Sequence, residues 1–423
     1  MTTRARVALV GTLDTKGAEY RWIVDRLGDL GVDTVVVDAG VRPPQGFGVA
    51  PDIEQTRVAA AAGRNLDDLA GSGDRGAAVT AMGEGAAAVL AELAAAGGLD
   101  GVLALGGSGG SSIAARAVRD LPIGLPKLIV STMASGDVSP YVGASDVTMM
   151  YSVVDIAGIN RLSRSVLGNA AAGIAGMAQA HARRRHEASD GATTGTADER
   201  PLIAASMFGV TTPAVDAARE RLDELGYEVL VFHATGSGGR ALETLARSGM
   251  LAGVLDLTTT ELADDLVGGV LTAGPERLTA AGASGLPQVV SLGALDMVNF
   301  GPEDTVPDAF SGRLFFVHNP TVTLMRTTPE ENAELGRRIG AKLAAATGPT
   351  VLVVPRGGVS LLDAEGQAFH DPAADRALFD AVLDGVAGSA VTVVEDDANI
   401  NDAGLARRSA DELHGLITAA REA

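Results

Sequence analysis

The amino-acid sequence predicts an α/β protein of two doubly wound domains with mostly parallel sheets. Three observations predict it: short β-rich apolar runs alternate with amphipathic helical stretches, the alternation recurs in the same order further along the chain, and glycines gather where the apolar runs end. Of 423 residues 54 are glycine, yet 46% are hydrophobic, so the glycine marks tight turns and close backbone approaches in a packed protein, not disorder or collagen.

Residues 5–11 (ARVALVG) read as a buried strand. In the next stretch, 18–31, Trp22, Ile23, Leu27 and Leu30 share one helical face and Gly31 stops the helix; DTVVVDAG follows as a second strand and completes a βαβ unit. Residues 201–212 (PLIAASMFGVTT) and the following VDAARERLDELGYEVLVFHATGSGG copy strand, threonine-bearing turn, helix, L-G stop and second strand. Residues 99–107 (LDGVLALGG) are echoed by 251–259 (LAGVLDLTT), and 124–132 (GLPKLIVST) by 285–293 (GLPQVVSLG). The order is kept while the spacing drifts, because the first copy carries an additional, largely helical stretch around 49–96. The domains are therefore expected at 1–182 and 201–423, joined by a polar linker at 183–200 without hydrophobic periodicity. Within that linker the run Arg183, Arg184, Arg185 either complements the end of a helix or forms a phosphate patch. The last hundred residues read as a strand at 313–319, a helix at 329–346, a strand at 350–355, a helix at 372–386 and a strand in AVTVVEDD, all extending the second sheet. A final helix over 402–420 packs on either domain.

With 33 Lys and Arg against 53 Asp and Glu the chain carries a net charge of −20, which repels nucleic acid and anionic lipid in bulk; neither is an expected partner. The absence of cysteine excludes thiol catalysis, disulfides and Cys-type zinc sites, and fits the expected cytoplasmic location. The apolar run near the N-terminus is too short for a signal peptide and reads as a strand. Residues 165–182 lack charge but make a poor membrane span. Their small residues Gly168, Ala172, Gly176 and Ala180 recur along one helical face, which either packs against another helix in the interior or forms a homodimer seam.

The strongest chemical signal is residues 102–118, VLALGGSGGSSIAARAV. A strand runs into Gly106, Gly107, Ser108, Gly109, Gly110 and Ser111 and then into a helix, so backbone N–H groups can meet an anion with no Cβ in the way, at the positive end of the helix. It is neither a Walker A sequence nor a strict G-x-G-x-x-G. A second loop, GTLDTKG, ends the first strand. Gly11, Thr12, Asp14, Thr15 and Lys16 lie there: Lys16 can neutralise phosphate, the threonines can donate, and Asp14 is the candidate ligand for Mg²⁺, although Asp14 or Thr15 could equally cap the first helix. Asp38, ending the second strand, suits a ribose hydroxyl or a turn. After the fourth strand, residues 131–146 offer Thr132, Ser135 and Gly136 for ligand contact, or merely form a loop.

These segments, GTLDTKGAEY, VDAG, LGGSGGSS and GLPKLIVSTMASGDV, together with HATGSGGRALE, HNPTVTLMRTT and PRGGVS, resemble the Tm-1-like ATP-binding proteins, the UPF0261 family, through nearly the whole chain. The resemblance implies two Rossmann-like domains, ATP bound in the first, and self-association as a homodimer or higher oligomer. It implies no settled reaction.

In the second copy the third-strand loop, Thr258, Thr259, Thr260, Glu261, has lost the glycines and cannot repeat the phosphate cradle. Instead polar residues gather near strand ends: His233, Thr235, Gly236, Ser237, Gly238, Gly239, Glu243, Asp256, Asp296, Asn299, His318, Asn319, Arg326 and Arg356. His233 and His318 are acid/base or metal candidates, or hydrogen-bonded packing residues. The catalytic candidates are His233, Glu243, His318, Arg326 and Arg356. The density suggests a second small-molecule pocket across an interdomain cleft, with Arg326 or Arg356 holding an organic acid. Three functions stay open: an ATP-dependent transferase using Mg²⁺, a non-catalytic nucleotide-regulated interaction protein, and an ATP-independent enzyme on a sugar acid or carbonyl compound.

Overall fold

Strand β1 (Arg6–Gly11) sits inside the first sheet with Val7, Ala8, Leu9 and Val10 all at most 1% exposed, as a strand covered on both faces must be. The computed structural model describes residues 4–189 and 200–422, and the chain divides into two units, Met1–Ala197 and Asp198–Ala423.

In the first unit β1 is followed by α1 (Leu13–Asp29), β2 (Asp33–Asp38), α2 (Gln55–Ala61), α3 (Leu66–Gly71), α4 (Arg75–Ala95), β3 (Gly101–Gly106), α5 (Ser108–Val118), β4 (Lys127–Ser131), α6 (Ser139–Val142), β5 (Val147–Tyr151) and α7 (Arg161–Ser189). All five strands pair in parallel, in the order β2-β1-β3-β4-β5. Alternate residues of β1 enter opposite cores. Val7 and Leu9 pack with α1 and α7, while Ala8 and Val10 pack with α2, α4 and α5. The additional stretch after β2 is helical, as expected: Asn65 caps α3 by accepting from the Asp67 and Asp68 amides, and Asp74 caps α4 by accepting from Ala77. Helix α4 crosses α2 closely, because a Cβ on Gly85 would lie 1.9 Å from the Val58 carbonyl oxygen. Among the described residues α4 is the one helix long and apolar enough to cross a membrane, and half of its apolar window is buried in this fold.

Helix α7 refines one expectation and corrects another. It buries Leu167, Ala170, Ala171, Ile174, Ala175, Ala178 and Ala182 on the sheet; of the small-residue row, Ala172 and Gly176 are exposed, Gly168 and Ala180 are half-buried, and Gly168 lies beside Trp22 of α1. The larger Leu167 and Ile174 win the sheet-facing side by the apolar area they remove from water. The helix also continues through Arg183–Arg185 to Ser189, past the expected start of the linker; Arg185 is held by Asp100 at 2.9 Å. The rest of that linker, 190–199, lies outside the described residues.

The second unit runs β6 (Leu202–Met207), α8 (Thr212–Glu224), β7 (Glu228–His233), α9 (Ser237–Arg247), β8 (Leu251–Thr258), α10 (Glu261–Val267), α11 (Ala280–Ala283), β9 (Gln288–Gly293), β10 (Met297–Phe300), β11 (Phe315–Asn319), β12 (Val322–Arg326), α12 (Pro329–Ala344), β13 (Thr350–Pro355), α13 (Pro372–Val386), β14 (Thr392–Asp396) and α14 (Ala403–Glu422). Its parallel sheet, β7-β6-β8-β9-β13-β14, repeats the order of the first and adds one strand. Strand β11 does not join it. Instead β11 pairs antiparallel with β12, which pairs antiparallel with β10, in a separate three-stranded sheet. A short reversal joins β11 to β12, with the Asn319 side chain accepting from the Thr321 amide, and such a turn closes an antiparallel ribbon but not a parallel crossover. Helix α14 packs on α8 and β8, within its own unit.

Candidate functional site

Strands β1 and β3 are neighbours whose chains leave toward opposite faces, β1 into α1 and β3 into α5. A crevice opens at such a reversal outside the carboxyl ends of the strands, where doubly wound sheets bind ligands. A cavity of about 690 Å³ occupies it. Its floor is Gly106–Gly110 and the start of α5; Thr12, Asp14, Thr15 and Lys16 form one side, and Val41, Arg42 and Gln45 follow from the loop after β2. The additional helices α3 and α4 close it with Leu69, Asp74, Arg75, Ala78, Val79 and Met82, while Ile113 and Asp155 complete the wall.

The glycine loop is tight: a Cβ on Gly106 would sit 2.8 Å from the Gly110 Cα. Helix α5 follows directly on Gly107 at its N-cap, and among the described residues no side chain caps it, so its first N–H groups face the cavity with the positive end of the helix behind them. Thr132 stands beside this loop, its Oγ1 at 3.7 Å from where a Gly107 Cβ would be. On the other side the loop expected at Gly11–Gly17 is instead the first turn of α1, broken at Lys16, whose φ of −127° and ψ of 18° are not helical. The Thr12 and Thr15 hydroxyls lie 2.8 Å apart, and Lys16 Nζ donates to the Ile156 carbonyl.

Asp14 is not the helix cap. One of its oxygens accepts from the Val41 and Arg42 amides at 3.3 and 3.2 Å, while Oδ1 is buried without a hydrogen-bond partner among the described residues. Of the two roles open to Asp38, a ribose contact or a turn, the structure has the turn: Asp38 is fully buried and its Oδ1 accepts from the Leu13 and Gly40 amides. Burial pushes the Asp38 carboxyl up to about 6, and the nearby Asp14 charge adds to the rise. Gly11 and Ser111 are likewise structural. A Cβ on Gly11 would lie 2.0 Å from the Tyr20 hydroxyl, which donates to the Val10 carbonyl and accepts from the Leu105 amide, tying β1 to β3 under the cavity. Ser111 bonds the Ser131 hydroxyl at 2.6 Å, both fully buried. Ser135 and Gly136 are exposed and lie apart from the cavity wall. Residues that sequence reasoning missed are Arg42, Gln45, Arg75 and Asp155; the loop after β2 brings in the first two, α4 brings in Arg75 and the segment between β5 and α7 brings in Asp155, and nothing in their local patterns marks them.

In the second unit the expected catalytic candidates are tied into ion pairs or spread over the surface. The Gly236–Gly239 loop is filled by the chain itself, because the Glu261 carboxylate accepts from the Gly236 and Gly239 amides at 2.6 and 3.0 Å. Glu243 accepts from the Leu278, Thr279 and Ala280 amides and meets Arg277, a fully buried arginine that also bonds Asp256 and Glu261. Burial opposes the Arg277 charge, but these three carboxylates outweigh it and raise its pKa. Arg326 is buried on Asp375, Asp363 and the Phe369 carbonyl. Around it burial and the neighbouring Asp296 and Asp375 push Asp363 up to about 8, and burial pushes Asp296 up to about 6. Asn299 is bonded to Asp264, and Arg356 to Glu395, with its guanidinium over the Phe379 ring. His233 is exposed against the Phe208 ring at 5.4 Å, and His318 is exposed on β11 of the other sheet. Among the described residues no three His, Cys, Asp or Glu side chains are disposed to hold a metal ion.

Comparison with known proteins gives a match to the N-terminal domain of the Uncharacterised protein family (UPF0261) over residues 5–183 and to its C-terminal domain over residues 200–417. A UPF0261 protein of Clostridium tetani is 50% identical over 415 residues, covering 97% of this chain and 99% of that one. The ToMV resistance protein Tm-1(GCR237) of Solanum lycopersicum is 49% identical over 282 residues, 66% of this chain and 36% of the tomato protein. Among solved structures, a UDP-N-acetylglucosamine 2-epimerase from Rickettsia bellii is 11% identical, covering 63% of this chain and 77% of that one at a TM-score of 0.23, too low to carry an argument.

Proposed function

Because this chain belongs to the UPF0261 family and carries both of its domains in order, we propose that its first unit is an ATP-binding domain whose nucleotide lies in the cavity between β1 and β3. The observation that carries this reading is the uncapped start of α5 behind a loop of glycines, opening into a cavity large enough for a cofactor-sized ligand. In this reading the Gly107–Gly110 amides donate to phosphate oxygens, the Thr12 and Thr15 hydroxyls donate beside them, and Lys16 leaves the Ile156 carbonyl to neutralise charge. The apolar side chains of Leu69, Val79 and Met82 receive the base. Asp14 Oδ1, buried and unpartnered among the described residues, fits a bound Mg²⁺, which would offset phosphate charge.

The non-catalytic, nucleotide-regulated reading is favoured over an organic-acid transferase, since Glu243, Arg326 and Arg356 are already occupied by partners within the chain. We place the protein in the cytoplasm, where ATP and Mg²⁺ are available, and its self-association on the small-residue row of α7. Thermal melting tests the nucleotide. At 100 times Kd, ATP stabilises the folded unit by about 2.7 kcal/mol, so a rise in Tm of several degrees is expected, larger with Mg²⁺ and absent in Gly107→Val. No shift with ATP, or an equal shift in Gly107→Val, overturns the assignment. Phosphate release above background over a panel of organic acids would restore the enzyme reading.

A further inference from the structure

Each unit has a glycine loop at a helix start, after the third strand in the first unit and after the second strand in the second, and the two are met by opposite charges. In the second unit the start of α9 is satisfied by an internal anion, Glu261, whose Oε2 would lie 2.0 Å from a Cβ on Gly239. In the first unit the start of α5 faces a cation. Arg75 Nη2 lies 3.4 Å from where a Cβ on Gly109 would be, so the guanidinium of this exposed residue stands across the glycine loop at the wall of the cavity. Its side chain has no hydrogen-bond or ion-pair partner among the described residues. It is also placed against the local field. Arg75 is the first residue of α4, where the helix dipole disfavours a cation, and the Asp74 cap offsets this only in part. Two helix starts and an unpaired arginine thus converge on one glycine loop, in a chain whose net charge is −20. Such a place suits an anion of more than one charge.

We propose that Arg75 is a specificity-determining residue of this cavity, pairing with the anionic end of the ligand across the Gly107–Gly110 loop, so that affinity rises with the number of phosphate charges. The proposal rests on the reading of the cavity as a nucleotide site. It assigns a role to α4, one of the three helices that stand between β2 and β3 where the second unit has α9 alone: α4 brings a cation to the glycine loop of the first unit, whereas the glycine loop of the second unit meets an internal carboxylate.

Calorimetric titration of the full chain with ATP, ADP, AMP and inorganic tripolyphosphate tests it. The variants are Arg75→Gln, Arg75→Lys and Arg64→Gln, the last making the same charge change on an exposed residue away from the cavity. Wild type is expected to bind ATP more tightly than AMP; Arg75→Gln weakens ATP and tripolyphosphate about tenfold and AMP less than about threefold, with partial recovery in Arg75→Lys. Arg64→Gln behaves as wild type. Melting of the unliganded variants checks folding, and removing a cation from a helix start does not lower Tm. If Arg75→Gln binds ATP as wild type does, or weakens ATP and AMP equally, the proposal is wrong while the nucleotide reading stands. Tripolyphosphate bound through Arg75 without any binding of ATP keeps the proposal and removes the nucleotide. If neither binds to wild type, both fall.

Discussion

At the scale of residues, several positions singled out for ligand chemistry turn out to hold the scaffold. Gly11 leaves room for the Tyr20 ring, so Gly11→Ala is expected to destabilise the first unit by about 1–3 kcal/mol through overpacking, read from urea unfolding. Asp38 gives a pH signature. Its carboxyl is raised to about 6 in the folded state from 3.8, so the folded state binds the proton more tightly and stability falls as pH rises between those values. Asp38→Asn, which keeps an acceptor for the Leu13 and Gly40 amides, should therefore be more stable than wild type at pH 7.5 by about 1–3 kcal/mol, the gain vanishing near pH 4. A gain that is the same at both pH values would show that charge is not its source. The Gly11 role could not be read locally, because it depends on the Tyr20 ring that α1 places opposite it, and for Asp38 the local pattern offered the turn without deciding for it.

At the scale of elements, the helix starts divide by what satisfies them. Asn65, Asp74, Thr328 and Asp371 cap their own helices with side chains, whereas α9 borrows the distant Glu261 and α5 is left open. The borrowed cap belongs to a buried cluster of Arg277 with Glu243, Asp256 and Glu261. Removing one partner from such a cluster strands the others, so Arg277→Met is expected to destabilise the second unit by about 3–5 kcal/mol, measured by chemical denaturation. Sequence reasoning listed Glu243 and Asp256 as chemistry but had no signal for Arg277, which lies in a turn with no periodicity. The cluster explains the polar density that suggested a second pocket: the charges face one another.

At the scale of the whole molecule, the repeat is one topology used for two purposes. Strand order 2-1-3-4-5 recurs, but the first copy has three helices between its second and third strands where the second copy has one. The small-residue row on α7 bears on assembly. With Ala172 and Gly176 exposed, Gly168 and Ala180 half-buried, and Met177 39% exposed beside them, two copies can approach closely there, and light scattering is expected to give the mass of a dimer that Ala172→Arg/Gly176→Arg reduces to a monomer. An unchanged mass in that variant places any association elsewhere.

The alternation of strand and helix, the duplication, the helical insertion and the glycine loop on the first strand reversal were all legible in the order of residues, because periodicity and turn chemistry act over a few positions and leave their mark there. The antiparallel sheet of β10, β11 and β12 was not, since short apolar runs look alike whichever neighbour they pair with. Nor was the choice between a residue that meets a ligand and one that meets its own chain. Asp14 and Asp38 both follow strands, and Glu261 and Arg75 both reach glycine loops. Whether each is spent internally or left facing a cavity was decided only in three dimensions, by the donors and charges that distant segments bring within about 3 Å.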